Sequence, residues 1–104
     1  MATLDLRSRY ATIVRDILAS CVPDAEVWAF GSRVNGAAHD ASDLDLVVRH
    51  QEDPTQADPR LGGLKTAFSE SDLPILVDVL DWARIPESFR HEIEKAHVVV
   101  QESP

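Results

Sequence analysis

Cysteine is nearly absent from this chain of 104 residues: Cys21 is the only one. No intramolecular disulfide can form, which suits a reducing compartment. Cys21 closes a helical apolar stripe, so it reads as a core residue rather than a nucleophile. Positive charge is also scarce, with 10 Lys and Arg against 18 Asp and Glu, a formal net charge of −8. Non-specific binding to nucleic acid or to an anionic membrane needs a basic surface, so both are excluded. No apolar run approaches the roughly 20 residues of a membrane span, and the start of the chain lacks the apolar core of a signal peptide. The expectation is a soluble, cytoplasmic protein with no membrane contact.

Common ligand motifs are missing as well. Gly31-Ser32-Arg33-Val34-Asn35-Gly36 is not followed by the Lys-Ser/Thr of a phosphate loop, and it lacks the Gly-x-Gly of a dinucleotide site. The segment from Asp43 is not a calcium-binding loop, since its sixth residue is Val48 and its twelfth Pro54. His39, His50, His91 and His97 lack metal-ligand spacing, and Ser32 has no histidine partner that the sequence identifies. Internal repeats and low-complexity segments are absent too.

What is there is an alternation of amphipathic and apolar segments. Leu6, Tyr10, Ile13, Val14, Ile17, Leu18 and Cys21 recur at helical spacing, which predicts a helix over 5–21 ended by Pro23-Asp24. Val27–Phe30 and Leu44–Val48 read as buried strands, joined by a connection over 31–42 that begins as a short helix. Residues 50–59 predict a polar surface loop, and Leu61, Leu64, Ala67 and Phe68 a helix of two to three turns. Ile75–Leu80 predicts a third strand. Pro86 suits the first turn of a last helix with Ile85, Phe89, Ile93 and Ala96 on one face. His97–Val100 reads as the end of that helix or as a final strand. The chain is expected to be a single domain over 1–104 of α/β (α+β) class, a small mixed sheet packed against helices.

Two features carry chemistry. The first is Gly31-Ser32 at the end of one apolar run, followed by Asp43-Leu44-Asp45 at the start of the next. Residues i and i+2 of a strand share a face, so these aspartates stand side by side, roughly 7 Å apart at their Cα atoms. Carboxylates that close repel unless a cation lies between them. A hard ion such as Mg²⁺ takes carboxylate and phosphate oxygens, and the Gly-Ser turn offers backbone N–H groups for a phosphate. The second feature is Asp78, which interrupts the apolar run Ile75–Leu80. An isolated carboxylate there is costly. Either it pairs with a cation such as Arg84, or it completes a three-carboxylate cluster suited to two-metal nucleotidyl transfer.

With these residues together, the chain resembles the minimal nucleotidyltransferases of the DNA polymerase β superfamily, over nearly its whole length. Residues 27–33, 68–74 and 77–82 look like one branch of that family. Its members are bacterial proteins encoded beside a small helical partner of the HEPN type, also called a nucleotidyltransferase substrate-binding protein. Such pairs are similar to toxin–antitoxin modules in which the nucleotidyltransferase is the antitoxin, in some by transferring AMP from ATP to a tyrosine of the partner. The resemblance implies that Gly31 and Ser32 bind the β- and γ-phosphates, that Asp43 and Asp45 ligate Mg²⁺, and that Asp78 completes a two-ion catalytic metal site and helps activate the acceptor hydroxyl. Arg33 follows the family's Gly-Ser-Arg pattern and either touches phosphate or forms a surface salt bridge to Asp40 or Glu70. Asn35 departs from the basic or small residue that many members carry there.

Size adds an expectation of its own. Only about 22 residues follow Trp82, too few for a second core that would hold an acceptor. The acceptor surface is expected from another polypeptide, in a hetero-oligomer, or from a dimer, and Trp82 is a candidate contact residue. The alternative for both Trp28 and Trp82 is a place in the core. Two other functions remain open: a binding module that masks a toxin without catalysis, and one half of a two-chain small-molecule nucleotidyltransferase.

Overall fold

A computed structural model describes residues 3–50 and 53–104 of the chain. It contains helix α1 (Ser8–Cys21), strand β1 (Glu26–Phe30), the short helix α2 (Ser32–Asn35), strand β2 (Leu44–Arg49) and helix α3 (Leu61–Ser69). Strand β3 (Val77–Asp81), a 3₁₀ turn at Trp82–Arg84, helix α4 (Glu87–Lys95) and strand β4 (Val98–Gln101) follow. The strands form one mixed sheet in the order β3-β2-β1-β4. Strand β1 is antiparallel to both β2 and β4, whereas β2 and β3 run parallel. A parallel pair needs a crossover, and α3 supplies it.

Alternation along the strands divides the side chains between two layers. Val27 and Ala29 of β1, Leu44, Leu46 and Val48 of β2, and Val79 of β3 pack with Val14 and Leu18 of α1 and Leu64 and Phe68 of α3. The opposite face carries Trp28, Phe30 and Val47, covered by Trp82 and by Ile93 of α4. At one end of this second face the Arg49 guanidinium lies 4.5 Å from the ring centre of Trp28 and 4.9 Å from that of Trp82. Glu26 Oε2 accepts from Arg49 Nη1 at 3.0 Å and from Trp28 Nε1 at 2.7 Å. At the other end the face is open, and Asp43, Asp45 and Asp78 lie there.

The fold class is the expected mixture of α and β, and the ambiguous segment at His97–Val100 resolves as strand β4. Several boundaries move. Helix α1 begins at Ser8 rather than at residue 5, because the chain before it is bonded elsewhere: Asp5 N–H donates to Arg33 O at 2.7 Å. Strand β3 begins at Val77, two residues later than Ile75. The expected surface loop over 50–59 lies partly outside the described residues, at 51–52, and it is not all surface. Asp58 is buried, with its carboxylate on Arg60 Nε and Nη2 at 2.9 and 2.8 Å, while its own N–H donates to Asp81 Oδ2. Trp82 belongs to the core, at 7% exposure, and is not an open contact residue.

Candidate active site

The site follows from strand register. Phe30, the last residue of β1, stands opposite Asp45 of β2, and Asp45 stands opposite Asp78 of β3. Residues directly opposite each other in neighbouring strands have side chains on the same face. Asp43 immediately precedes β2, and its charge acts on Asp45. One backbone rung thus aligns the end of β1 with two of the aspartates, and the third lies just before β2.

Beyond Phe30 the chain turns sharply at Gly31, with φ +78° and ψ −151°. This region of backbone space is essentially reserved for glycine. There is a second reason for glycine: a Cβ here would collide with the Asp45 carboxylate, which packs against the bare Cα. The one residue therefore provides the turn and lets a carboxylate approach the backbone. Helix α2 starts at once, and Val34 and Asn35 donate their N–H groups to Gly31 O at 3.0 and 3.1 Å. The N–H groups of Ser32 and Arg33 fall in the first turn, where no intrahelical acceptor exists. Ser32 is half-buried beside Gly31.

Asp45 is half-buried, whereas Asp43 and Asp78 are exposed. Burial pushes the Asp45 carboxyl above its ordinary value, and the charges of Asp78 and then Asp43 push it further the same way. The three carboxylates are thus close enough to feel one another. Two expectations need correction. Asp78 is not trapped in an apolar strand, because β3 is an edge strand and this side of it faces solvent. Nor does Asp78 pair with Arg84, whose Nε lies 4.0 Å from Asp81 Oδ2. Among the described residues no three carboxylate, imidazole or thiolate groups converge tightly enough to cage an ion by themselves. The expected three-carboxylate cluster is therefore an open array. Such a donor set fits Mg²⁺, which typically takes one or two carboxylates together with substrate phosphates.

Arg33 lies elsewhere. It is buried at 6% exposure, and its guanidinium donates to backbone carbonyls. Nε and Nη2 reach Ser42 O at 3.0 and 2.9 Å, Nη1 reaches Asp5 O at 2.8 Å, and Nη2 also reaches Asp40 O at 3.1 Å. The salt bridges to Asp40 or Glu70 expected from sequence are replaced by this internal clamp, and the fork points at the loop rather than at the carboxylates. Its effect on the site is indirect: it fixes the loop that ends one residue before Asp43. The sequence signal for this role is slight, since a buried arginine bonding only carbonyls has no charged partner to look for.

A further feature was not legible in the sequence. Phe30, Gly31, Asn35, Phe89, Glu92 and Ile93 line a cavity of about 270 Å³ on the other flank of the Gly31 turn. Phe89 was expected on the buried face of the last helix. It stays 37% exposed at the rim of this cavity, edge-to-face with Phe30 at 5.7 Å.

Comparison with known proteins gives the family. Residues 11–101 match the family described as nucleotidyltransferase domain. The chain is also 54% identical over 101 residues to the "Probable protein adenylyltransferase MntA" of Haemophilus influenzae, covering 97% of this chain and 87% of that protein. The match runs from α1 to β4, and the chain belongs to the minimal nucleotidyltransferases as an enzyme of nucleotidyl transfer.

Proposed function

We propose that this enzyme transfers AMP from ATP to a hydroxyl group of a HEPN-type partner polypeptide in the cytoplasm, and serves as the antitoxin of the pair. The observation that carries the reading is the rung of Phe30, Asp45 and Asp78, with the Gly31 turn against Asp45 and Asp43 close by. It sets a phosphate-binding turn against carboxylates that are costly to keep together for any purpose other than cation and phosphate chemistry. The relative's name, a protein adenylyltransferase, supports AMP as the group and a protein as its acceptor.

In this reading the turn at Gly31-Ser32 holds the β- and γ-phosphates through backbone N–H groups and the Ser32 hydroxyl. Asp43 and Asp45 would hold Mg²⁺, and Asp78 the second ion of the pair. Bound there, the ions neutralise phosphate charge and lower the pKa of the acceptor hydroxyl. The acceptor oxygen forms a bond to the α-phosphorus, the bond from that phosphorus to the bridging oxygen breaks, and pyrophosphate departs with the electron pair. The hydroxyl proton passes to Asp78, which is exposed. A masking module without catalysis gains nothing from three mutually repelling carboxylates, so catalysis is favoured.

The test is incubation with α-labelled ATP, Mg²⁺ and the protein encoded beside this one. Label is expected on the partner, and Asp43→Asn should reduce it by at least 100-fold. Full labelling by Asp43→Asn would overturn the assignment.

A further inference from the structure

The cavity beside the Gly31 turn has no part in the chemistry described so far. It holds about 270 Å³, and Phe30, Phe89 and Ile93 give it apolar walls, while Asn35 and Glu92 contribute polar groups. Phe89 and Ile93 lie one turn apart on α4, yet Ile93 is buried and Phe89 is 37% exposed. Phe89 therefore brings an uncovered aromatic surface to the cavity. The two polar groups are incompletely used. Glu92 Oε1 accepts from Lys95 Nζ at 3.1 Å, and Oε2 has no partner among the described residues. Asn35 Oδ1 accepts from Ala37 N–H at 3.0 Å, and among the described residues its amide N–H groups have no acceptor.

Position ties the cavity to the carboxylates. Gly31 borders both, with the Asp45 carboxylate against its Cα and the cavity on its other flank. Phe30, a cavity wall, begins the rung that continues through Asp45 to Asp78. A ligand that spans the cavity and Asp45 leaves the Asp78 end of that rung open.

We propose that this cavity reads the base of the nucleotide and selects adenine, with Phe89, Glu92 and Asn35 as the specificity-determining residues. The inference rests on the reading of ATP as the donor of AMP. A purine is apolar on its faces and polar at its edge, which matches aromatic walls beside one carboxylate and one carboxamide. Stacking on Phe89 is indifferent to which base is bound, so the choice falls to the edge groups. Adenine carries an amino donor next to a ring-nitrogen acceptor. The free Glu92 carboxylate oxygen accepts from the amino group, and an Asn35 amide N–H donates to the ring nitrogen. Guanine places a carbonyl oxygen where adenine has the amino group, and against Glu92 two acceptors then meet. The base is thus read at one end of the rung, away from the Asp78 end where the acceptor hydroxyl loses its proton.

The test is equilibrium dialysis of the full chain with Mg²⁺ and either ATP, GTP or tripolyphosphate, the last probing the phosphate turn and carboxylates alone. ATP should bind about tenfold tighter than GTP, or more. Phe89→Ala should weaken ATP and GTP alike, roughly tenfold. It should leave tripolyphosphate binding where it was, which also shows that the variant is folded. Glu92→Gln should abolish most of the preference for ATP, because a carboxamide can turn its donor toward the guanine oxygen. Equal binding of ATP and GTP by the wild type, or ATP binding unmoved in both variants, overturns the assignment of the cavity. AMP transfer still stands in that case if α-labelled ATP marks the partner protein. The expected binding pattern with no label on any acceptor keeps the base subsite and removes the transfer reading.

Discussion

Replacing Gly31 by alanine separates the two demands made on that residue. An alanine at φ +78° and ψ −151° sits where only glycine is at ease, at a cost of order 1–3 kcal/mol. Its Cβ also meets the Asp45 carboxylate, which has to swing away from the rung it shares with Phe30 and Asp78. Gly36 is the internal control. It too has positive φ, at +86°, in the left-handed region, but nothing lies within 4 Å of a Cβ added there. Gly36→Ala should cost about 1 kcal/mol, the left-handed penalty partly offset by the stiffer unfolded chain. Gly31→Ala should cost about 2–3 kcal/mol, and AMP transfer should fall roughly 100-fold, since a displacement of about 1 Å in a reacting group has that effect. Gly36→Ala should stay within about threefold of wild type by the same scale. Urea unfolding and initial rates of transfer, measured on both variants, decide the matter. If Gly31→Ala keeps its rate, or Gly36→Ala loses as much, the close approach of Asp45 to the turn has no catalytic meaning.

Other substitutions probe the surrounding electrostatics. Asp45 is held above its ordinary pKa chiefly by burial, so the unfolded chain ionises at lower pH than the folded one, and stability falls as pH rises from about 4 through the raised value. Asp45→Asn removes that fall: its unfolding midpoint should exceed that of wild type at pH 7 and converge with it near pH 4, while transfer is lost. Asp58 behaves oppositely, because its hydrogen bonds to Arg60 hold its carboxyl below the usual range. Its contribution is complete above about pH 4 and disappears as pH falls through the lowered value. Arg60→Ala should cost about 2 kcal/mol at pH 7, less than a fully buried pair because Arg60 is one-third exposed, and the gap should narrow in acid. Arg33→Ala should destabilise the chain by about 3 kcal/mol, since charged donors to buried carbonyls are lost. Arg33→Lys should recover little of it, because an ammonium cannot reproduce the fork. A stable Arg33→Lys with a raised KM for ATP would show that the guanidinium serves phosphate after all.

Where a local pattern decides the outcome, the sequence was readable. The face of α1 and strands β1 and β2 follow from periods of 3.6 and 2, whereas Asp43 falls just before β2 rather than within it. The approach of Asp78 needed one assumption, that the third strand lies beside the second, and the parallel ladder of β2 and β3 meets it. What could not be read depends on contacts between distant segments. Arg33 looked like a surface cation because its partners are carbonyls of residues 5, 40 and 42, which carry no side-chain signature. Asp58 looked like loop polarity, and only its meeting with Asp81 shows why it is buried. Phe89 fitted the helical stripe, yet the cavity beside Gly31 leaves it partly uncovered.

The change of strand direction at β2 has a consequence for how the molecule assembles. Its antiparallel partner β1 is near in sequence, whereas its parallel partner β3 arrives only after the whole crossover through α3. Short-range pairing closes sooner than long-range pairing. Phe30 and Asp45 can therefore meet before Asp78 is in place, and the like-charge repulsion is encountered at a later docking step. Neutralising Asp78 should then act mainly by slowing the departure of β3, leaving the early hairpin-like pairing of β1 and β2 unaltered. The β2–β3 seam thus carries a repulsion that the earlier pairing of β1 and β2 does not.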